Sequence, residues 1–412
     1  MTKPHLPIPE PHRGREPDTW AFRTVSARFK NTAQRILEEN QFSAEIIVRL
    51  QDLINEIPDV PIRLIDDPHA PDEAAWNRYL LPYLGKNWLE PPWFFVEHYF
   101  YRRILEATGY FQLGNGFQID PFNYQKQTGL EVSRLAIDQL MTRINSWLRQ
   151  KFDNREILRD LFYLDLWGNQ ADLSLWPAEG ENKPDHRSLE SAQAHILVDE
   201  VNPVIDILLG FEAGQSRLDL LLDNAGFELV CDLALTDYFL TAGLASSVHL
   251  HAKPHPTYVS DAMEKDVRLA IQFLQSQNQN STRKSGERLQ SYLEDGHLQF
   301  RGNYFWTSPL DGWEMPVSLR EELSHSNLVI SKGDANYRRL VGDRHWPFTI
   351  PFAEILSYFP APLLALRTLK SEVIPGLKPG QAEKITAQDP DWLIDGRWGV
   401  LQFYPGSISK LF

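Results

Sequence analysis

Cysteine is nearly absent: Cys231 is the single one in 412 residues. An intrachain disulfide and a cysteine metal cluster are thereby excluded, and the usage fits a reducing compartment. Its setting, FELVCDLAL, reads as a helix interior, so a buried, inert thiol is expected rather than a nucleophile. Long apolar runs are missing as well. None approaches the ~18 residues needed to span a bilayer. The opening MTKPHLPIPEPHRGREPD is polar and proline-rich, without the apolar stretch of a secretory leader. A cytoplasmic protein is expected. Positive charge is in deficit, with 41 Lys and Arg against 55 Asp and Glu, a net charge of −14. That balance argues against general nucleic-acid binding and against an anionic membrane surface. It leaves room for basic residues gathered locally. The GxxxxGK[ST], HExxH and strand-following GxGxxG signatures are absent, and so are internal repeats.

What is present is ample core material, with 42% hydrophobic and 12% aromatic residues. Residues 1–18 read as a flexible arm, 19–155 as a helical domain, and 156–412 as an α/β domain. Ile46, Ile47, Leu50, Leu53 and Ile54 recur at helical spacing, as do Leu140, Met141, Ile144, Trp147 and Leu148. Between them, NWLEPPWFFVEHYFYRRILEATGYF stops at paired prolines and restarts as an aromatic helix near Trp93. Its Glu97, Arg102 and Arg103 either face water or reach into a polar cleft. Asn169 and Asp172 fall in a loop that is either a plain turn or faces a site. Residues 187–211 read as a helix broken at Pro203, and the tail WLIDGRWGVLQFY as strands at a sheet edge. The polar stretch from Asn278 reads as a flexible loop. Strands at Leu218–Leu222, Ser247–His251, Asn327–Ser331 and Leu363–Leu366 alternate with helices, which indicates a parallel sheet covered on both faces.

The chain is organised around LLLDNAGFE, residues 220–228. An apolar strand is cut off at Asp223, Asn224 and Gly226, and a helix follows. An ordinary Asx turn would account for this. A carboxylate beside an amide carbonyl is also what a hard divalent cation prefers, and ligands of open α/β sheets bind at the carboxyl ends of strands. The other strands end alike. The second is followed by HAKPHPTYVSD, ending at Asp261. The third runs into SKGDANYRRLVGDR, with Lys332, Asp334, Asn336, Arg338, Arg339 and Arg344. The fourth runs into RTLK, with Arg367 and Lys370. In a doubly wound sheet these ends share one rim, where acids and cations together would suit a metal and a phosphate. Helix-dipole complementarity would explain Asp334 to Arg338 alone. His249, His251 and His255 are read as buried or edge histidines rather than ligands. A haloacid-dehalogenase-type phosphatase would need Asp where Ala225 stands.

LLLDNAGFELVCDLAL, VHLHAKPHPTYVSD, KGDANYRRLVGDR and RTLK together resemble the damage-control phosphatase family, formerly a domain of unknown function. The RTxK element resembles its subfamily III, the acidic-residue methyltransferase 1-like branch, as do PPWFFVEHYFYRRI and LWGNQADLSL. The resemblance implies a helical N-terminal domain on a three-layer α/β/α sandwich with a mostly parallel sheet. It implies a metal-dependent phosphatase of small sugar phosphates, hexose phosphates such as fructose 1-phosphate included, using Mn²⁺, Co²⁺, Ni²⁺ or Mg²⁺. Carried over by motif, Asp223, Asn224 and Asp261 would hold the metal. Asp334, Ala335, Asn336, Tyr337, Arg338 and Lys370 would hold substrate. Lys332, Arg338 and Lys370 are expected to neutralise the phosphoryl group, with Arg367, Glu97 and Asn169 in the same pocket. The attacking group is either a water activated at the metal or Asp223 itself. Glu228 matches a position linked to the family's disputed methyltransferase activity. An S-adenosylmethionine-dependent carboxyl methyltransferase and a non-catalytic sugar-phosphate sensor are the rival readings.

Overall fold

The computed structural model describes residues 3–149, 154–168, 193–212 and 214–406. Seven strands form one sheet: β1 (Ile196–Asp199), β2 (Arg217–Leu221), β3 (Ser247–Ala252), β4 (Leu298–Gly302), β5 (Leu328–Lys332), β6 (Leu363–Thr368) and β7 (Gly399–Tyr404). Their spatial order is β1-β7-β6-β5-β2-β3-β4. All neighbours pair in parallel except β6 and β7. From β2 the chain runs outward through β3 to β4, then returns to place β5 on β2's other side. The order therefore reverses between β2 and β5, where a crevice opens at the carboxyl ends.

Alternation along each strand builds the two faces. Leu218, Leu220 and Leu222 join one apolar cluster with the helices Arg134–Arg149, Asn154–Trp167, Val201–Leu209, Phe227–Thr241, Glu264–Ser276 and Asn280–Glu294. Leu221 points to the other face, where Val329, Leu363, Ala365 and Val400 meet Tyr337, Leu340 and Trp313. The architecture is an α/β/α sandwich. A third cluster, Ala21 to Phe122, is built within the N-terminal segment, and Tyr258 and Val259 pack against it. The expected boundary at 155 thus falls inside the layer that covers the sheet, because Ile137, Leu140 and Ile144 turn toward the sheet's helices. No helix among the described residues is long and apolar enough to cross a membrane.

Several expectations need correction. Residues 3–18 are not loose: Pro11 bridges Arg344, Arg13 bridges Pro92, and His12 is buried. Asn280–Glu294 is a helix, not a loop. Its inner face is made of Thr282, Ser285 and Gly286 as well as Leu289, so apolar periodicity could not reveal it. A Cβ on Gly286 would lie 2.7 Å from the Gln275 amide nitrogen, a helix–helix approach that only glycine permits. The segment read as a helix up to Phe211 holds β1 before the helix Val201–Leu209. The tail strand β7 is interior to the sheet, between β6 and β1.

Candidate active site

The turn after β2 is held by its neighbour. Asn224 and Asp261 form an isolated antiparallel bridge, the Ala225 amide donates to the Ser260 carbonyl at 2.6 Å, and the Ala262 amide to the Asp223 carbonyl at 2.7 Å. Two distant strand ends are thereby tied together. Tyr258 and Val259 take positive φ values of 47° and 65° just before Ser260. Such backbone costs roughly 1–3 kcal/mol per residue and persists where the surroundings enforce it. Here the Tyr258 hydroxyl donates to Glu97 Oε2 at 3.2 Å and its ring lies against His98.

A cleft of about 650 Å³ opens at this point. Asp223, Asn224, Asp261, Asp334, Ala335 and Lys370 line it from the ends of β2, β3, β5 and β6. Glu97 and Arg338 line it too. The opposite wall comes from the N-terminal helices through Trp20, Arg28, Asn31, Thr32 and Arg35. Among the sequence-chosen residues, four do not line it. Lys332 turns into the interior, 2.6 Å from Asp165 and 3.1 Å from Asp232, whose charges push its pKa up despite burial. Asn336 donates to the backbone carbonyls of Leu222 and Lys332 at 3.0 and 2.9 Å. Tyr337 donates to Gln402 at 2.6 Å. Arg367 grips Asp334 and Ser371 from behind at 2.8 and 2.7 Å. The neutralising role expected of Lys332, and the ligand contacts expected of Asn336, Tyr337 and Arg367, therefore have no direct geometric basis. These four brace the wall instead. Asn169 lies outside the described residues.

Arg338 reaches the cleft already engaged. It bonds Glu97 at 2.5 Å, takes Asp343 through two bonds of 3.1 and 3.0 Å, and lies 3.8 Å from the Trp93 ring centroid. Glu97 is raised by burial, against the pull of Arg338. Asp334 is opposed by burial but held below its ordinary value by Arg367 and Arg338, so it stays ionised.

The metal reading can be tested on the donors themselves. Asp223 is pushed well above the usual carboxylate range, by burial first and then by Glu228 and Asp261. Burial raises Asp261 as well, although Lys253 stands 3.0 Å away. Carboxyls pressed together in this way are the groups a divalent cation would hold ionised. Asn224 donates through Nδ2 to Asp223 and Glu228 at 2.9 and 2.8 Å, while its carbonyl oxygen accepts from Ser260 at 2.5 Å. Space is provided by Gly333, whose φ is +81° and where a Cβ would fall 1.9 Å from Asp223 Oδ2. An all-oxygen set of this kind fits Mg²⁺ or Mn²⁺ chemistry. The three histidines sit elsewhere: on β3, His251 Nε2 is 2.7 Å and His249 Nδ1 3.8 Å from Asp219, and beyond the strand His255 faces Asp72 at 3.5 Å.

Sequence reading missed Lys253 and the N-terminal wall. A signal for the wall existed: Arg28, Asn31, Thr32 and Arg35 repeat at helical spacing on one polar face. That pattern is indistinguishable from a solvated face until the partner layer is known. The helix also widens to a π turn over Thr24–Arg28, a feature frequent at functional sites.

The family model of the damage-control phosphatase ARMT1-like domain matches residues 24–385. Damage-control phosphatase ARMT1 of Mus musculus is 37% identical over 404 residues, covering 92% of this chain and 91% of that protein. The Danio rerio protein of the same name is 37% identical over 379 residues, covering 86% and 84%. That of Xenopus tropicalis is 38% identical over 376 residues, covering 85% and 84%. Among solved structures, a DUF89 family protein from Pyrococcus horikoshii aligns over 92% of this chain and 96% of its own, at 14% identity and a TM-score of 0.48. With the model matched over most of its length and relatives above one-third identity, the chain belongs to the damage-control phosphatase ARMT1-like family.

Proposed function

We propose that the chain is a divalent-metal-dependent phosphatase of small sugar-phosphate monoesters, hexose phosphates such as fructose 1-phosphate among them. Membership of a family whose relatives are named damage-control phosphatases supports phosphate-ester hydrolysis as a metabolite-repair activity. The observation that carries the metal-dependent form is the convergence of Asp223, Asn224 and Asp261 in one cleft with Lys370. A cation held by these three would supply Lewis-acid polarisation of a phosphate oxygen. Lys370, exposed at the rim, pairs with the phosphoryl charge. Asp334, kept ionised and oriented by Arg367 and Ser371, accepts hydrogen bonds from sugar hydroxyls. Arg28, Asn31 and Arg35 close the cleft over the sugar and exclude water from the reacting face.

The test is phosphate release from a panel of hexose and pentose phosphates, with Mn²⁺, Co²⁺, Ni²⁺ or Mg²⁺ supplied to chelator-treated protein. Turnover that needs the added metal is expected. Absence of release from every ester, with metal bound, overturns the proposal.

A further inference from the structure

The N-terminal arm crosses the loop that follows the helix Asp334–Val341. Pro11 bridges Arg344, the His12 amide donates to the Asp343 carbonyl at 3.1 Å, and the His345 amide to the Glu10 carbonyl at 3.1 Å. In antiparallel pairing of this register, residues 12 and 345 are diagonal neighbours on one face. Their imidazole ring centroids lie 3.9 Å apart. The turn after His12 brings Glu16 round, and its Oε1 is 3.2 Å from His345 Nε2. One ligand atom from each of His12, Glu16 and His345 lies within 4.8 Å of the others.

A second observation points the same way. His12 is 5% exposed, and its Nε2 is buried with no hydrogen-bond partner. An imidazole nitrogen left bare in the interior forfeits the solvation it had in water. A bond to a cation would remove that deficit. His345 and Glu16 are partly exposed, with side chains at 44% and 31%, so an ion has an entry path and a place for water.

We propose that His12, Glu16 and His345 form a second metal site, separate from the cleft, that takes a borderline transition cation of the Zn²⁺ class. Two imidazoles and one carboxylate, with a water completing the tetrahedron, are characteristic zinc donors, whereas Mg²⁺ and Ca²⁺ select oxygen. The site pins three pieces of chain together. The His12 backbone carbonyl accepts from the Trp93 amide at 2.7 Å, where the Glu97-bearing helix begins. Asp343, two residues before His345, holds Arg338 in the cleft wall. The ion therefore staples the arm to the backbone that braces the candidate active site.

The experiment uses Zn²⁺ alone as probe and the full chain carrying Asp223→Ala and Asp261→Ala, which removes the carboxylates of the cleft. Calorimetry on chelator-treated protein is expected to show one tight Zn²⁺ equivalent. Adding His345→Ala or Glu16→Gln, both partly exposed positions, should weaken it by at least the roughly tenfold that even outer-shell partners contribute. Circular dichroism checks that these variants fold. In the otherwise wild-type chain, Zn²⁺ should slow tryptic cleavage after Arg15, and His345→Ala should abolish that protection. No Zn²⁺ binding by the cleft-deleted chain, or affinity unchanged by His345→Ala and Glu16→Gln, overturns the proposal. Since the cleft carboxylates are absent from the calorimetric test, its failure is distinguishable from failure of the phosphatase reading.

Discussion

Gly333 has no side chain where Asp223 needs room, and its positive φ would strain any other residue. Gly333→Ala is expected to displace the Asp223 carboxylate and to lower turnover by about 100-fold, the scale of a 1 Å misplacement. Phosphate-release kinetics beside a circular-dichroism spectrum separate this from unfolding. Lys253 acts one step back. Its ammonium holds Asp261 at 3.0 Å and the Leu222 carbonyl at 3.1 Å. Lys253→Met should weaken cleft metal affinity by roughly 10–100-fold, as loss of an outer-shell partner does, read by titration of Mn²⁺. Asp223 also makes a pH prediction. Its folded pKa is raised, so the metal-free fold binds this proton more tightly than the unfolded chain does. Stability from this group is thus present in acid and lost as pH rises from the unfolded carboxylate value through the raised one. In chelator, Asp223→Asn should raise Tm relative to wild type at neutral pH and lose that advantage in acid. A Tm difference that does not change with pH would contradict the assignment.

At the scale of elements, the helix Trp93–Thr108 is buried along its whole length and still carries arginines. Arg102 reconciles the two. Its guanidinium takes Asp72 at 3.0 Å and Asp67 at 3.0 Å, all three buried, and so clamps the loop before Glu73–Leu80 to the aromatic helix. Arg102→Ala leaves two carboxylates in the interior without their cation, which should cost about 3–5 kcal/mol, measured by denaturant unfolding. Burial opposes ionisation of Asp72, yet His255 and Arg102 bring its pKa down to about 2. Its contribution is therefore present above the unfolded value and lost as pH falls from roughly 4 toward 2. Elements with strong apolar periodicity were legible from residues alone, such as Ala44–Glu56 and Arg134–Arg149. Ile196–Asp199 was not, because three apolar residues followed by an aspartate fit a strand and a helix turn equally well.

At the scale of the molecule, the N-terminal helices contribute a core of their own and one wall of the cleft, while the sheet contributes the other. An ion that binds only where both Asp223 and Asp261 are in place favours the folded state. Mn²⁺ at about 100 times its dissociation constant should stabilise the chain by about 2.7 kcal/mol. A thermal-shift titration reads this, and Asp261→Ala should flatten it.

The sequence by itself determined the strand–turn–helix units and which chemistry stands at each strand end, because turn residues and apolar alternation are local properties. It carried Asp223, Asn224, Asp261, Asp334 and Lys370 to the right ends of the right strands. Only the tertiary structure decided which of their neighbours face the cleft. Lys332 turns inward because the buried acids Asp165 and Asp232 await it there, and Arg367 because it grips the cleft-lining Asp334 from behind. Lys253 and the arm's His12 acquire their surroundings from segments 8 and more than 300 residues away, Asp261 and His345. Side-chain direction at a strand end depends on what the adjoining layer offers, and that layer is assembled by long-range packing which no local pattern encodes.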